Sequence, residues 1–247
     1  MIRILIFMLG MNIIITNAAA LAVEAPWVTG TARSADDGIF LYREFHYLAP
    51  TTELLSGRIE YIADDERVIA RKQIDYSRSL TAPAVEQTDL RSQTRFFARY
   101  ADNYLQTGFQ RGGSALESQT LVPSNELVID AGFDPFVRSQ WETLRSGRSA
   151  RARFYVPSRL ESVRISITPV DRQECAQAEG DILCLLIRPA GLLRVVGWFL
   201  EPLLLAYDLE SRRLVMFKGT SNLANDDGRP QSVVILYEYA DVQVETL

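Results

Sequence analysis

The chain has 247 residues, with 26 Lys plus Arg against 31 Asp plus Glu and a formal net charge of −5. At 47% hydrophobic and 23% charged its composition is that of an ordinary globular protein, which excludes a disordered chain and a multi-span membrane protein. The acidic balance, with no long basic stretch, argues against nucleic acid as the main partner, and a lone histidine, His46, excludes any site that needs two.

In chain order, Met1-Ile2-Arg3 is a short positive start, and residues 4–15 form an apolar run interrupted by Gly10 and Asn12. Small residues follow, Asn17-Ala18-Ala19-Ala20-Leu21-Ala22, with no cysteine for a lipid anchor. This pattern predicts a secretory signal peptide over 1–22, cleaved near Ala22, and an exported single β-rich domain over 23–247 without a transmembrane span. An uncleaved N-terminal anchor is the alternative.

Alternation at period two then dominates. Residues 39–48, 58–62 and 68–76 carry apolar or aromatic residues at every second position, with Asp64-Asp65-Glu66 as a turn. On the first of these, Glu44 and His46 share a face with Phe40 and Tyr42. A carboxylate beside an imidazole suits general acid–base chemistry, and equally an ion pair on a sheet face.

Phe133-Asp134-Pro135 predicts a helix start, with Asp134 as cap and Gly147 as stop. Phe136, Val137, Trp141 and Leu144 fall on one stripe of it. Arg145, Arg148, Arg151 and Arg153 cluster around Gly147. They suit anionic headgroups or an acidic partner, and equally a solvated loop at a helix C-terminus.

The strand 163–168, Val-Arg-Ile-Ser-Ile-Thr, alternates cleanly. Cys175 and Cys184 flank a turn-like segment and, in an exported chain, predict a disulfide clamping a hairpin end. Residues 191–200 are apolar almost all round, stop at Glu201-Pro202, and predict a second short helix pressed under the sheet. Strands at 203–207, 214–220 and 233–239 follow, with Asn225-Asp226-Asp227-Gly228 as a turn.

About ten such strands with helices in mid-chain predict a mainly β fold: a large, curved antiparallel sheet, a half-open barrel with about two short helices covering its concave face. A two-layer sandwich is the alternative. No metal-ligand spacing, phosphate-binding glycine loop or nucleophile elbow is present, so no metal, cofactor or catalytic residue is assigned.

The block 128–138, with Val128-Ile129-Asp130-Ala131-Gly132-Phe133-Asp134-Pro135, followed by Trp141 and by Tyr155-Val156-Pro157-Ser158-Arg159-Leu160, resembles an uncharacterised family of exported proteins of Gram-negative bacteria. Trp198, Tyr207-Asp208 and Lys218-Gly219-Thr220-Ser221-Asn222-Leu223 are similar to the same family. The resemblance implies a periplasmic location and carries no activity. In strand–helix–strand order the chain is also similar to the outer-membrane lipoprotein carriers.

The expected function is a non-enzymatic periplasmic binding protein that holds lipid or another apolar ligand in the concavity, lined by Phe133, Phe136, Trp141, Trp198 and Phe199. The alternatives are an envelope assembly or scaffold module that binds a protein partner, and a hydrolase built on His46.

Overall fold

A computed structural model describes residues 25–48, 56–190 and 202–240. The predicted signal peptide and the 191–200 segment, with Trp198 and Phe199, lie outside the described residues.

Among the described residues, fifteen strands form one curved, open sheet. One wing is an up-and-down run of eight: β1 (Val28–Ser34), β2 (Phe40–Leu48), β3 (Ser56–Ile62), β4 (Val68–Asp75), β5 (Ala84–Asp89), β6 (Thr94–Ala101), β7 (Tyr104–Gln110) and β8 (Glu117–Leu121). The chain then forms a two-residue strand, β9 (Leu127–Val128), and two short helices, α1 (Phe133–Ser139) and α2 (Trp141–Arg145). The second wing follows as β10 (Ala150–Val156), β11 (Glu161–Pro169), β12 (Ile182–Pro189), β13 (Leu203–Asp208), β14 (Leu214–Thr220) and β15 (Ser232–Tyr239). Pairing of β1 with β15 joins the wings, so the first and last strands lie in the middle of the sheet. Every pairing is antiparallel except that of β9 with β10.

The predicted single helix is two, because Gln140 leaves helical geometry at φ −98° and ψ 11°. Asp134 does not cap: Gly132 holds that position, and Asp134 instead pairs with Arg138 one turn on, at 2.9 Å. The apolar stripe nevertheless works as predicted. Phe136, Val137, Trp141 and Leu144 pack on the inner face of the second wing, against Ile165, Ile167, Leu185, Leu205 and Tyr207.

The Cys175–Cys184 disulfide is present, with the two Cα atoms 6.0 Å apart. It holds a short turn, Arg172–Cys175, over the convex face of β12 and β13, where Cys175 and Ala178 bury Leu204, Ala206 and Met216. Strand β13 is therefore buried on both faces, which explains its unbroken apolar run.

The sheet curls until its two edges meet through side chains. Leu127, Ile129 and Tyr155 from the β9–β10 edge pack among Phe96, Ala98 and Leu105 of the first wing. The Tyr155 hydroxyl lies 2.7 Å from Thr107 Oγ1 on β7. Among the described residues no backbone ladder joins β8 to β9.

Candidate functional site

The curled sheet and α1 enclose a cavity of about 520 Å³. Strand register dictates what faces it. Across the inner face, one row runs Tyr237, Gly30, Glu44, Tyr61, Ala70, Asp89, and the next runs Tyr239, Val28, His46, Ile59, Lys72, Gln87, Phe96. The first wing thus turns an unusual number of polar side chains inward. Glu44, Lys72, Gln87 and Asp89 are all buried, which requires each to be paired.

Asp89 Oδ1 accepts from the backbone amides of Arg91 and Ser92, at 2.9 Å and 3.2 Å, and the other three fall in three groups. Glu44 Oε2 accepts a hydrogen bond from the Tyr237 hydroxyl at 3.3 Å and lies 3.0 Å from His46 Nε2. The His46 and Tyr237 rings meet edge to face with centroids 5.9 Å apart. Glu44 and His46 thus contact each other along one strand, on the face they share. In the second group Asn222 Nδ2 donates to Gln87 Oε1 at 3.1 Å and to the Tyr61 hydroxyl at 3.3 Å, while Gln87 Nε2 donates back to the Asn222 carbonyl at 3.2 Å. Asn222 reaches the cavity because the loop after β14 folds inward, tied down by Ser221 Oγ, 2.8 Å from the Tyr42 hydroxyl.

The third group is Lys72, one of only two lysines in the chain, whose Nζ lies 2.8 Å and 2.7 Å from the two carboxylate oxygens of Asp130. Asp130 sits at φ +43°, a costly conformation for a residue with a Cβ. Its turn is locked from behind: Ile129 N donates to the Thr81 carbonyl at 2.9 Å, and a Cβ on Gly132 would come within 1.9 Å of that same oxygen. Only glycine fits there, and the close approach aims Asp130 at Lys72.

Burial, and after it the charge of Glu44, pushes the Tyr42 and Tyr61 phenols well above their ordinary values, so both stay protonated. The Tyr207 hydroxyl, on the cavity wall, is buried without a hydrogen-bond partner among the described residues. It interacts with the side chain of Asp134 on α1. Burial first, then the Asp134 carboxylate, pushes Tyr207 well up, which leaves a neutral donor facing the interior.

The opposite wall is apolar: Phe133, Phe154, Ile165, Ile187, Leu205 and Phe217, with the Phe133 and Phe154 rings 6.0 Å apart edge to face. Of the aromatic residues assigned from sequence to the ligand, Phe133 lines this wall. Phe136 and Trp141, 5% and 1% exposed, sit behind it in the packed core. A stripe at helical spacing marks a buried face without distinguishing core from cavity wall, and Phe136 and Trp141 belong to such a stripe.

Arg145, Arg148, Arg151 and Arg153 are exposed on the outside of the molecule and do not meet the cavity. Lys72, Gln87, Asp130 and Asn222 escaped sequence reasoning. The available signal was Lys72 itself, a charge at the inward position between Ala70 and Ile74 on an otherwise apolar alternation. Among the described residues, no serine or threonine hydroxyl bonds to His46.

No protein-family model matches the chain, and no curated protein matches it. Among solved structures it is similar to a β-barrel-like protein of a domain of unknown function, DUF1849, from Brucella abortus, with 8% identity and a TM-score of 0.41 over 88% of this chain and 100% of that one.

Proposed function

We propose that the protein is a non-enzymatic binding protein of the periplasm that holds an amphipathic small molecule inside its curled sheet. The observation that supports this most directly is the division of one cavity into two chemistries. An apolar wall from β10–β14 and Phe133 suits an acyl or other hydrocarbon body. Facing it, Lys72–Asp130, Glu44–His46–Tyr237 and Gln87–Asn222 offer fixed donors and acceptors for a polar head. The polar groups already satisfy one another, so they are pre-organised and add little ordering cost on binding.

The test is native mass spectrometry of the protein purified from a periplasmic extract without detergent, followed by titration with a lysophospholipid and a long-chain fatty acid. An adduct of amphiphile mass is expected, and Phe133→Ala should weaken it roughly 10- to 100-fold, the worth of one aromatic contact. A bare mass, with no adduct on titration, would overturn the proposal and favour a module that docks a protein partner.

A further inference from the structure

The outer face of the second wing carries a second feature, independent of the cavity. Strand register places Arg151 opposite Ser166, and Ser166 opposite Arg188, in one row across β10, β11 and β12. In the next row Arg153 lies directly opposite Arg164. The four arginines therefore surround Ser166 on one face, and all four are exposed. The neighbouring hydroxyls bond among themselves, Ser149 to Thr168 at 3.0 Å and Ser166 to Thr168 at 3.3 Å, and supply no negative charge.

Some arginines of the molecule are ion-paired and others are not; what sets these four apart is that they lie together on one face. Arg67, Arg71, Arg91, Arg95, Arg99, Arg138, Arg159 and Arg212 each have a carboxylate within ion-pair distance. Arg151, Arg153, Arg164 and Arg188 have none among the described residues. Like charges directly opposite on adjacent strands destabilise a sheet. An acidic chain of net charge −5 thus gathers four uncompensated cations on one open face.

We infer that this face docks on the surface of a bilayer containing anionic phospholipid. The chemistry it fits is phosphate, which the planar guanidinium fork binds bidentately. The shape favours a surface over a single small anion. The four groups spread over three strands, about 10 Å across at ordinary strand spacing, and all four are exposed. Each can engage a separate headgroup, and each such arginine near an anionic surface is worth about a five-fold gain in partitioning.

The test is co-sedimentation of the purified protein with vesicles of phosphatidylcholine alone and with about one-third phosphatidylglycerol. Binding is expected only to the anionic vesicles and should be lost at high salt. The variant R151Q/R153Q/R164Q/R188Q should lose binding by two orders of magnitude or more with a melting temperature no lower than the parent's, since all four side chains are exposed and their mutual repulsion is removed. A control, R67Q/R71Q, should bind as the parent does. Equal binding to both vesicles, or full binding by the four-glutamine variant, would overturn the inference. Complete competition by millimolar inorganic phosphate would also overturn it, in favour of a small-anion site. Absence of vesicle binding with capture of a polyglutamate peptide would replace the membrane with an acidic protein.

Discussion

Gly30 sits between Tyr237 and Glu44 in the inner row, and its missing side chain is the reason those two residues meet. A Cβ there would lie 2.8 Å from the Tyr237 ring. Gly30→Ala should therefore displace the ring, break its hydrogen bond to Glu44 and destabilise the fold by about 1–3 kcal/mol, as overpacking does. Urea denaturation would measure this, and an unchanged midpoint would show that the ring has room to move. On the outer face Glu86 is set against two arginines. Burial acts to raise its pKa, but hydrogen bonds from Arg99 and Arg95 outweigh it and hold the carboxyl below the ordinary 4.5. A folded-state pKa below the unfolded one contributes stability above about pH 4.5 that is lost as pH falls through the folded value. Glu86→Gln should accordingly lower the melting temperature at pH 7 and flatten its fall on acidification; parallel acid limbs for variant and parent would refute this. Glu44 and His46 were legible in the sequence as sharing a face. Lys72 and Asp130 were not, because 58 positions separate partners that only the tertiary fold brings together.

At the scale of elements, legibility followed the polarity of the inner face. Strand β11 could be read because Ile165 and Ile167 alternate against Arg164 and Ser166 over the apolar wall. Strands β5 and β7 could not. Their inward positions are Val85, Gln87 and Asp89, and Leu105 and Thr107, so the pattern that marks a half-buried strand is interrupted where the cavity is polar. The predicted strand number is about ten, against fifteen among the described residues. The disulfide was legible, whereas its second service, as the cover that buries the convex side of β13, was not. Replacing both Cys175 and Cys184 by serine should cost about 2–3 kcal/mol from loop closure alone. It should also raise hydrogen exchange in β13 above that in β3, because Leu204 and Ala206 lose their cover. Uniform acceleration across the sheet would count against such a local role.

For the whole molecule, the half-open barrel was legible from the abundance of alternating segments around mid-chain helices, and strand order was not, because β1 and β15 pair across almost the entire chain. Ala240 N donates to the Trp27 carbonyl at 2.9 Å, so positions far apart in sequence end side by side. A permuted chain opened between Asp64 and Asp65, with residues 25 and 240 joined by a short glycine linker, should fold within about 1–2 kcal/mol of the parent, since closing a short exposed loop costs little. Deleting 232–240 should instead abolish the cooperative melting transition, because it removes the strand that joins the wings. A cooperative transition in the deletion would show that each wing is stable alone.

The central place of β15 also bears on how the protein is made. A chain emerging from its N-terminal side can pair β1 to β8 hairpin by hairpin, then β9 to β14, and still lack the strand that joins the two wings. The last strand supplies Tyr237 to the polar row and joins two half-sheets that have no backbone ladder between them until then. A product cut short before residue 232 is therefore not a slightly smaller version of the same container but two separate half-sheets, the first of which has lost Val233 and Ile235 from its core. Finished and unfinished chains differ in kind, and a quality-control protease that recognises exposed apolar strands could separate them without reading any signal in the sequence.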